Sequence, residues 1–283
     1  MNELIGKKYN ICGRLGTGKF GSVYKGKHYK NNTEVAIKFE DTNTNIKLLR
    51  HETTILKYLY ERDTRNIPAI SWFGIHNHYT CLVMTLYECS LHDYVITKGN
   101  LSVSKISSII YQLVTILKSV HDNSVIHRDI KPQNIMVKSG ELYLIDFGFS
   151  TIFIDEDGEH VPHDCSEHII GSPKYVSYNI HTGAIPSRRD DLISLGYLYL
   201  FLHEKQLSWE NISDDMSVND EYDETSIYHY KNLLRQEMKQ ISAIDFTSTS
   251  HDHNLQNYLK YVYHLKYEEL PNYEAILDLF TYN

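Results

Sequence analysis

The chain has 283 residues, a formal net charge of −8 and four cysteines (Cys12, Cys81, Cys89, Cys165) with no CxxC pair among them. That length supports one bilobal unit or two small domains. The acidic balance and the lack of any Lys/Arg block argue against nucleic-acid binding, and the scattered cysteines suit a reducing compartment. Met1-Asn2-Glu3 has neither the basic-then-apolar start of a signal peptide nor a glycine for myristoylation. The longest apolar run, Leu192 to Leu202, is broken by Ser194 and Gly196 and is too short to span a bilayer. These features predict an intracellular protein, cytoplasmic or nuclear, away from membranes; a monomer is expected, although these features do not bear on oligomeric state.

In chain order, the first signal is Leu15-Gly16-Thr17-Gly18-Lys19-Phe20-Gly21-Ser22-Val23. Glycines at Gly16, Gly18 and Gly21 let backbone amides approach phosphate oxygens unobstructed. The same spacing occurs in dinucleotide-binding turns, but those lead into a helix. Here β-type residues lie on both sides, Tyr9 to Leu15 and Val23 to Lys25, so a β-hairpin over a nucleotide is predicted. Glu34-Val35-Ala36-Ile37-Lys38 then reads as a buried strand ending in one lysine, placed to meet phosphates and to be held by a carboxylate. Lys47 to Tyr60 has helical apolar spacing, and Glu52 within it is the best partner for Lys38. Glu40 and Glu61 are the alternatives, the first on the same strand as Lys38 and the second at the helix end. Ile67 to Gly74 and Thr80 to Met84 read as two further strands.

Ser104 to His121 repeats apolar residues at three and four, which predicts an amphipathic scaffold helix. His127-Arg128-Asp129-Ile130-Lys131-Pro132-Gln133-Asn134 follows, then two short strands joined by Lys138-Ser139-Gly140, then Asp146-Phe147-Gly148. Phosphoryl transfer requires such a set: one carboxylate to orient a hydroxyl, and an amide with a second carboxylate to hold Mg²⁺. Asp129 suits the first role, Asn134 and Asp146 the second, and Lys131 brings a point charge.

The full string from His127 to Asn134, followed by Asp146-Phe147-Gly148, resembles the catalytic loop and metal-binding motif of eukaryotic protein kinases. Lys131 favours the serine/threonine type. Downstream, no Ala-Pro-Glu closes the activation segment. Ser177-Tyr178-Asn179 stands there instead, followed by Ser187-Arg188-Arg189-Asp190-Asp191-Leu192 and Ser194-Leu195-Gly196-Tyr197. This is similar to the casein kinase I family, over roughly residues 9 to 281.

The resemblance implies an α+β, bilobal fold, with a β-rich lobe over 1–86 and a mainly helical lobe over 87–283. It implies ATP and Mg²⁺ as cofactors and proteins with Ser/Thr acceptors as substrates. Nucleotide contacts are expected from Leu15, Gly16, Gly18, Gly21, Val23, Ala36, Lys38, Glu52, Met84, Leu86 and Met136. Among them Leu15, Val23, Ala36 and Met136 are apolar walls, Met84 guards the back of the pocket, and Leu86 with Tyr87 forms the hinge. Asp129 and Lys131 are expected to serve catalysis, and Asn134 and Asp146 to hold the metal. Asp191 is expected to fasten the catalytic-loop backbone, while His127 and His121 are expected to have no proton-transfer role. The long C-terminal inhibitory tail of some family members is expected to be absent, and the resemblance implies constitutive activity.

Two departures bear on substrate. Family members use basic residues near the activation segment to bind a phosphate or acidic group upstream of the acceptor. Lys174 and Lys231 match that pattern, whereas Asp164, Glu167 and the acidic run through residues 204 to 225 reverse it. A reduced reliance on primed or acidic substrates is therefore expected. The His160, His163, Cys165 and His168 cluster is expected to be a solvated loop rather than a metal site.

Overall fold

The computed structural model describes residues 4–18, 21–165, 169–210, 228–239 and 252–281. They form two compact units, Met1–Ser90 with Asn134–Ser150, and Leu91–Gln133 with Thr151–Asn283. The hairpin after the catalytic loop thus groups with the first ninety residues, although the sequence reading put it in the second lobe. The first unit is β-rich and the second mainly helical, the α+β class expected.

In the first unit, β1 (Tyr9–Gly18), β2 (Gly21–His28), β3 (Glu34–Asp41), β5 (Tyr79–Thr85) and β4 (Ile70–His76) form one antiparallel sheet in that spatial order. The predicted hairpin is borne out by the antiparallel pairing of β1 with β2, whose last pair is Gly18 with Gly21, and strand follows on the far side. Side chains alternate across the pleat, so each face can be read from register. Val35, Ile37 and Phe39 share one face with Cys81 and Val83, and with Ile5, Tyr9 and Trp72 they form a small apolar core. Ala36, Lys38 and Glu40 point to the other face, with Val23 opposite Lys38 and Met84 opposite Ala36. One helix, α1 (Leu48–Tyr60), buries Leu49, Glu52, Ile55, Leu56 and Leu59. A second sheet joins β6 (Cys89–Ser90), β8 (Ile135–Lys138) and β9 (Glu141–Leu144). The β8–β9 turn has positive φ at both Ser139 (52°) and Gly140 (84°), where the sequence pointed only to the glycine.

The second unit comprises α2 (Leu91–Lys98), α3 (Val103–Asp122), β7 (Val125–Ile126), β10 (Thr151–Ile152), α4 (Tyr178–His181), α5 (Arg188–Glu204), α6 (228–239), α7 (His253–His264) and α8 (Tyr273–Asp278). Ser102 caps α3 by accepting the Lys105 N–H. Ten α3 residues are buried, Ile106 to His121 on one stripe. Among the described residues α3 is the one helix with the length and hydropathy of a membrane span, and half of it is packed inside the unit. α5 is buried on every side from Asp190 to Leu202, as a central helix must be.

Candidate active site

The first unit brings Lys38, Glu52 and Asp146 together. Lys38 Nζ donates to both carboxylate oxygens of Glu52, at 2.8 and 2.9 Å, and to Asp146 Oδ1 at 3.0 Å. Of the three candidate partners, Glu52 is the one engaged. Burial alone would lower the Lys38 pKa, but the Glu52 and Asp146 charges outweigh it and keep the ammonium protonated. Burial pushes Glu52 upward against the pull of Lys38.

A cavity of about 150 Å³ opens beside this trio, lined by Gly18, Gly21, Ser22, Val23, Lys38, Glu52, Asp146 and Gly148 among others. A Cβ at Gly21 would lie 2.0 Å from the Phe39 carbonyl oxygen, so only glycine fits where the hairpin returns. The other expected nucleotide residues, Leu15, Gly16, Ala36, Met84, Leu86 and Met136, lie outside this lining. Ala36 and Met84 nevertheless share the sheet face of Lys38. Met136 is half-buried on β8, and Leu15 is exposed on β1.

Asn134 and Asp146 flank the open end of the β8–β9 hairpin. The Asn134 carbonyl accepts the Ile145 N–H at 2.9 Å, which brings the two ends of the hairpin together. A carboxamide and a half-exposed carboxylate are hard oxygen donors of the kind Mg²⁺ takes, so these residues fit the metal. Asp146 has φ of 69°, and its left-handed turn leads into Phe147, which is fully buried.

In the second unit, Lys131 and Ser172 gather around Asp129, which is 4% exposed. Lys131 Nζ donates to Asp129 Oδ2 at 2.7 Å and to Ser172 Oγ at 2.8 Å. Ser172 donates its N–H and hydroxyl to Asp129 Oδ1, at 2.9 and 2.8 Å. Ser172 escaped the sequence reading as a site residue, because its partners are more than forty positions away.

The loop carrying Asp129 is fastened by the expected residue. Asp191 accepts the backbone N–H groups of His127 at 2.7 Å and Arg128 at 2.8 Å. His121 Nε2 binds Asp191 Oδ2 at 3.0 Å, and His121 Nδ1 meets the Tyr273 hydroxyl. Burial would raise Asp191, but the His121 bond and the neighbouring charges and amides hold it below the usual carboxylate value. His121 and the His127 backbone both take part in this packing around Asp191.

Residues 171 to 176 are fastened in turn. Gly171 has φ of 103°, and a Cβ there would sit 2.4 Å from the Arg128 carbonyl oxygen. Trp209 Nε1 donates to the Lys174 carbonyl at 2.7 Å. Lys239, fully buried on α6, donates to the carbonyls of Pro173 (2.8 Å) and Val176 (2.6 Å) and to His181 Nε2 (3.0 Å). Neither Trp209 nor Lys239 stood out in the sequence, where no motif surrounds them. The Ser177-Tyr178-Asn179 element also has a visible purpose. Ser177 Oγ and Asn179 Nδ2 both donate to Asp190 Oδ1, at 2.5 and 3.1 Å, tying the segment to the start of α5.

In the His160, His163 and Cys165 region, His163 and Cys165 are exposed, as expected of a solvated loop. His160 is half-buried against Phe153 and Tyr267, and His163 lies edge-on to Tyr267. Among the described residues no group of three metal-ligating side chains occurs. His168, Glu167 and the acidic residues between 211 and 225 lie outside the described residues.

The first unit thus holds a lysine–carboxylate pair beside a glycine hairpin with an amide and a carboxylate at one hairpin end, and the second holds a lysine and a serine around the buried Asp129, residue types that phosphoryl transfer employs. Residues 9–277 match the family model described as the protein kinase domain, and the chain belongs to that family. Protein kinases transfer phosphate to protein substrates and generally use ATP with Mg²⁺.

Proposed function

We propose that this protein is a serine/threonine kinase of the casein kinase I type, active without phosphorylation of its activation segment. The observation that carries the reading is the Asp129–Lys131–Ser172 cluster. A buried carboxylate is held by the N–H and hydroxyl of Ser172 and charge-paired with a lysine of the type found in serine/threonine kinases.

The roles follow from chemistry. Lys38 holds the α- and β-phosphates of ATP while Glu52 keeps its ammonium oriented, and Gly16, Gly18 and Gly21 bring backbone amides to the phosphates. Leu15, Val23, Ala36, Met84 and Met136 contact the base, with Leu86 beside Tyr87 at the hinge. Asn134 and Asp146 hold Mg²⁺, which when bound offsets phosphate charge. Asp129 orients the acceptor hydroxyl and takes its proton, and Lys131 steadies charge on the transferring group. The Lys38–Glu52 pair and the side-chain fastenings of residues 171 to 176 support constitutive activity, because each is made by the protein's own groups.

For substrate, we infer weak dependence on an upstream phosphate or acidic run. Lys174, one of the two lysines matching the family's anion pattern, is ion-paired with Glu210. An anionic substrate must compete with that carboxylate. Asp164 adds a further negative charge on the activation segment. The protein is placed in the cytoplasm or nucleus as a monomer, with no nucleic-acid or membrane partner.

The test is transfer of labelled phosphate from Mg²⁺-ATP to casein and to matched neutral, acidic and phospho-primed peptides, followed by phosphoamino-acid analysis. Label on serine and threonine, with neutral peptides within a few-fold of primed ones, is the expected outcome. Label on tyrosine, or a strong preference for primed peptides, overturns it.

A further inference from the structure

The start of α1 lacks the usual means of satisfying its first N–H groups. Its N-cap position is Lys47, whose side chain makes no capping bond, and its first turn holds no acidic residue. The exposed N–H groups of a helix start need an acceptor, and a carboxylate there also complements the helix dipole. That acceptor comes from the sheet. Glu40 Oε1 accepts the Leu49 N–H at 3.0 Å, and Glu40 is 3% exposed. Its second oxygen, Oε2, is buried without a hydrogen-bond partner. Holding a carboxylate there carries a desolvation cost, so the contact it makes has structural consequence.

The position of Glu40 makes it more than a cap. Glu40 lies two residues after Lys38 on β3, on the same face of the strand, and Leu49 lies three residues before Glu52 on α1. The strand and helix are therefore joined twice, by Glu40 to Leu49 and by Lys38 to Glu52, in parallel and about one helical turn apart. Beside the apolar packing of α1 and the His51 bond to the Ser150 carbonyl, the Glu40 bond ties the helix start itself to β3 and so restrains its rotation about the Lys38–Glu52 pair. We propose that Glu40 is a positioning residue that clamps the start of α1 to β3 and so sets the geometry of the Lys38–Glu52 pair. For its effect on turnover the inference rests on the kinase reading; the clamp itself does not.

The experiment compares Glu40→Ala, Glu40→Gln and Glu40→Ala combined with Lys47→Asp. Glutamine keeps an acceptor oxygen for the Leu49 N–H, and aspartate at position 47 restores a local cap without a link to β3. Three readouts are taken: thermal midpoint, hydrogen exchange at the Leu49 amide, and kcat and KM for ATP. Glu40→Ala is expected to exchange faster at Leu49 and to lose about tenfold in kcat/KM for ATP. Glu40→Gln should stay within about threefold of the parent. The double variant should recover the thermal midpoint and the amide protection but not the kcat/KM.

Full recovery of turnover by the double variant would reduce Glu40 to a cap and overturn the proposal, as would unchanged exchange and kinetics in Glu40→Ala. If Glu40→Ala does not fold, the Glu40→Gln protein decides alone, and a tenfold loss there contradicts the acceptor role. A parent protein without transferase activity defeats the kinase reading. The Leu49 exchange would still report on the clamp, and normal protection in Glu40→Ala would overturn it.

Discussion

Ser172 donates both its backbone N–H and its hydroxyl to one oxygen of Asp129, at 2.9 and 2.8 Å, while Lys131 bridges Ser172 Oγ and the other Asp129 oxygen. Three charge-assisted bonds thus set the orientation of a buried carboxylate. Replacing Ser172 with alanine keeps the N–H bond but removes the two made by the hydroxyl, each worth about 1.5–3 kcal/mol to a charged partner before compensation. The expected result is a fall of about tenfold or more in kcat with an ATP KM within twofold of the parent. Steady-state kinetics with ATP and one peptide checks both numbers, and a change confined to the ATP KM would contradict the assignment.

Gly171 is required for two separate reasons, its φ of 103° and the 2.4 Å approach of any Cβ to the Arg128 carbonyl oxygen. The clash partner is backbone in the catalytic loop, so relief must move either that loop or the segment. Gly171→Ala should cost about 2–4 kcal/mol and lower the thermal midpoint by several degrees. Calorimetry provides the check, and a shift of under one degree would show that the segment yields freely.

Lys174 is paired with Glu210 at partly exposed positions. Neutralising the acid leaves the lysine available to a substrate anion, an effect on the order of 1 kcal/mol, or about fivefold. Glu210→Gln should therefore lower the KM for phospho-primed and acidic peptides about fivefold and leave neutral peptides unchanged. Competition between the two peptide classes in one reaction measures this directly. An equal effect on both classes would mean that Glu210 acts through the fold instead.

His181 accepts a hydrogen bond from Lys239. Burial, then the Lys239 charge with a smaller contribution from Arg235, holds the imidazole at about 3, well below its ordinary 6.5. Between those values the unfolded chain carries a proton that the folded chain does not. Stability therefore rises with pH across that window and is lost on acidification, by up to about 1.4 kcal/mol per unit. His181→Gln retains an acceptor for Lys239 and cannot titrate. Urea melts at pH 7, 5.5 and 4.5 should show a shallower loss for the variant, by close to one proton. Parallel losses would remove His181 from the acid response.

How much of this was legible in the sequence depended on distance along the chain. The glycine hairpin, the β3 lysine and the catalytic string are local patterns, and β1 to β3, α1 and the β8–β9 hairpin fall within a few residues of where apolar spacing placed them. The Lys38–Glu52 pair was accessible because one helical period separates Glu52 from the flanking buried residues. Glu40 was visible as a candidate, but its bond to a helix N–H depends on how β3 and α1 meet, which no spacing encodes. Lys239 and Trp209 were illegible for a related reason. Apart from the Lys239 bond to His181, their partners are backbone carbonyls, 35 or more positions away, and a carbonyl leaves no trace in residue type. The grouping of 134–150 with the first unit is likewise a matter of packing, through pairs such as Asn66 with the Leu142 carbonyl.

The most direct test of the central claim uses Asp129→Asn in a single-turnover assay with labelled Mg²⁺-ATP and a serine peptide, alongside nucleotide affinity. The account predicts label on the parent's peptide, a loss of about a thousandfold or more in the variant, and ATP affinity within a few-fold. Equal transfer by both proteins, or tight nucleotide binding by the parent with no transfer, would contradict it.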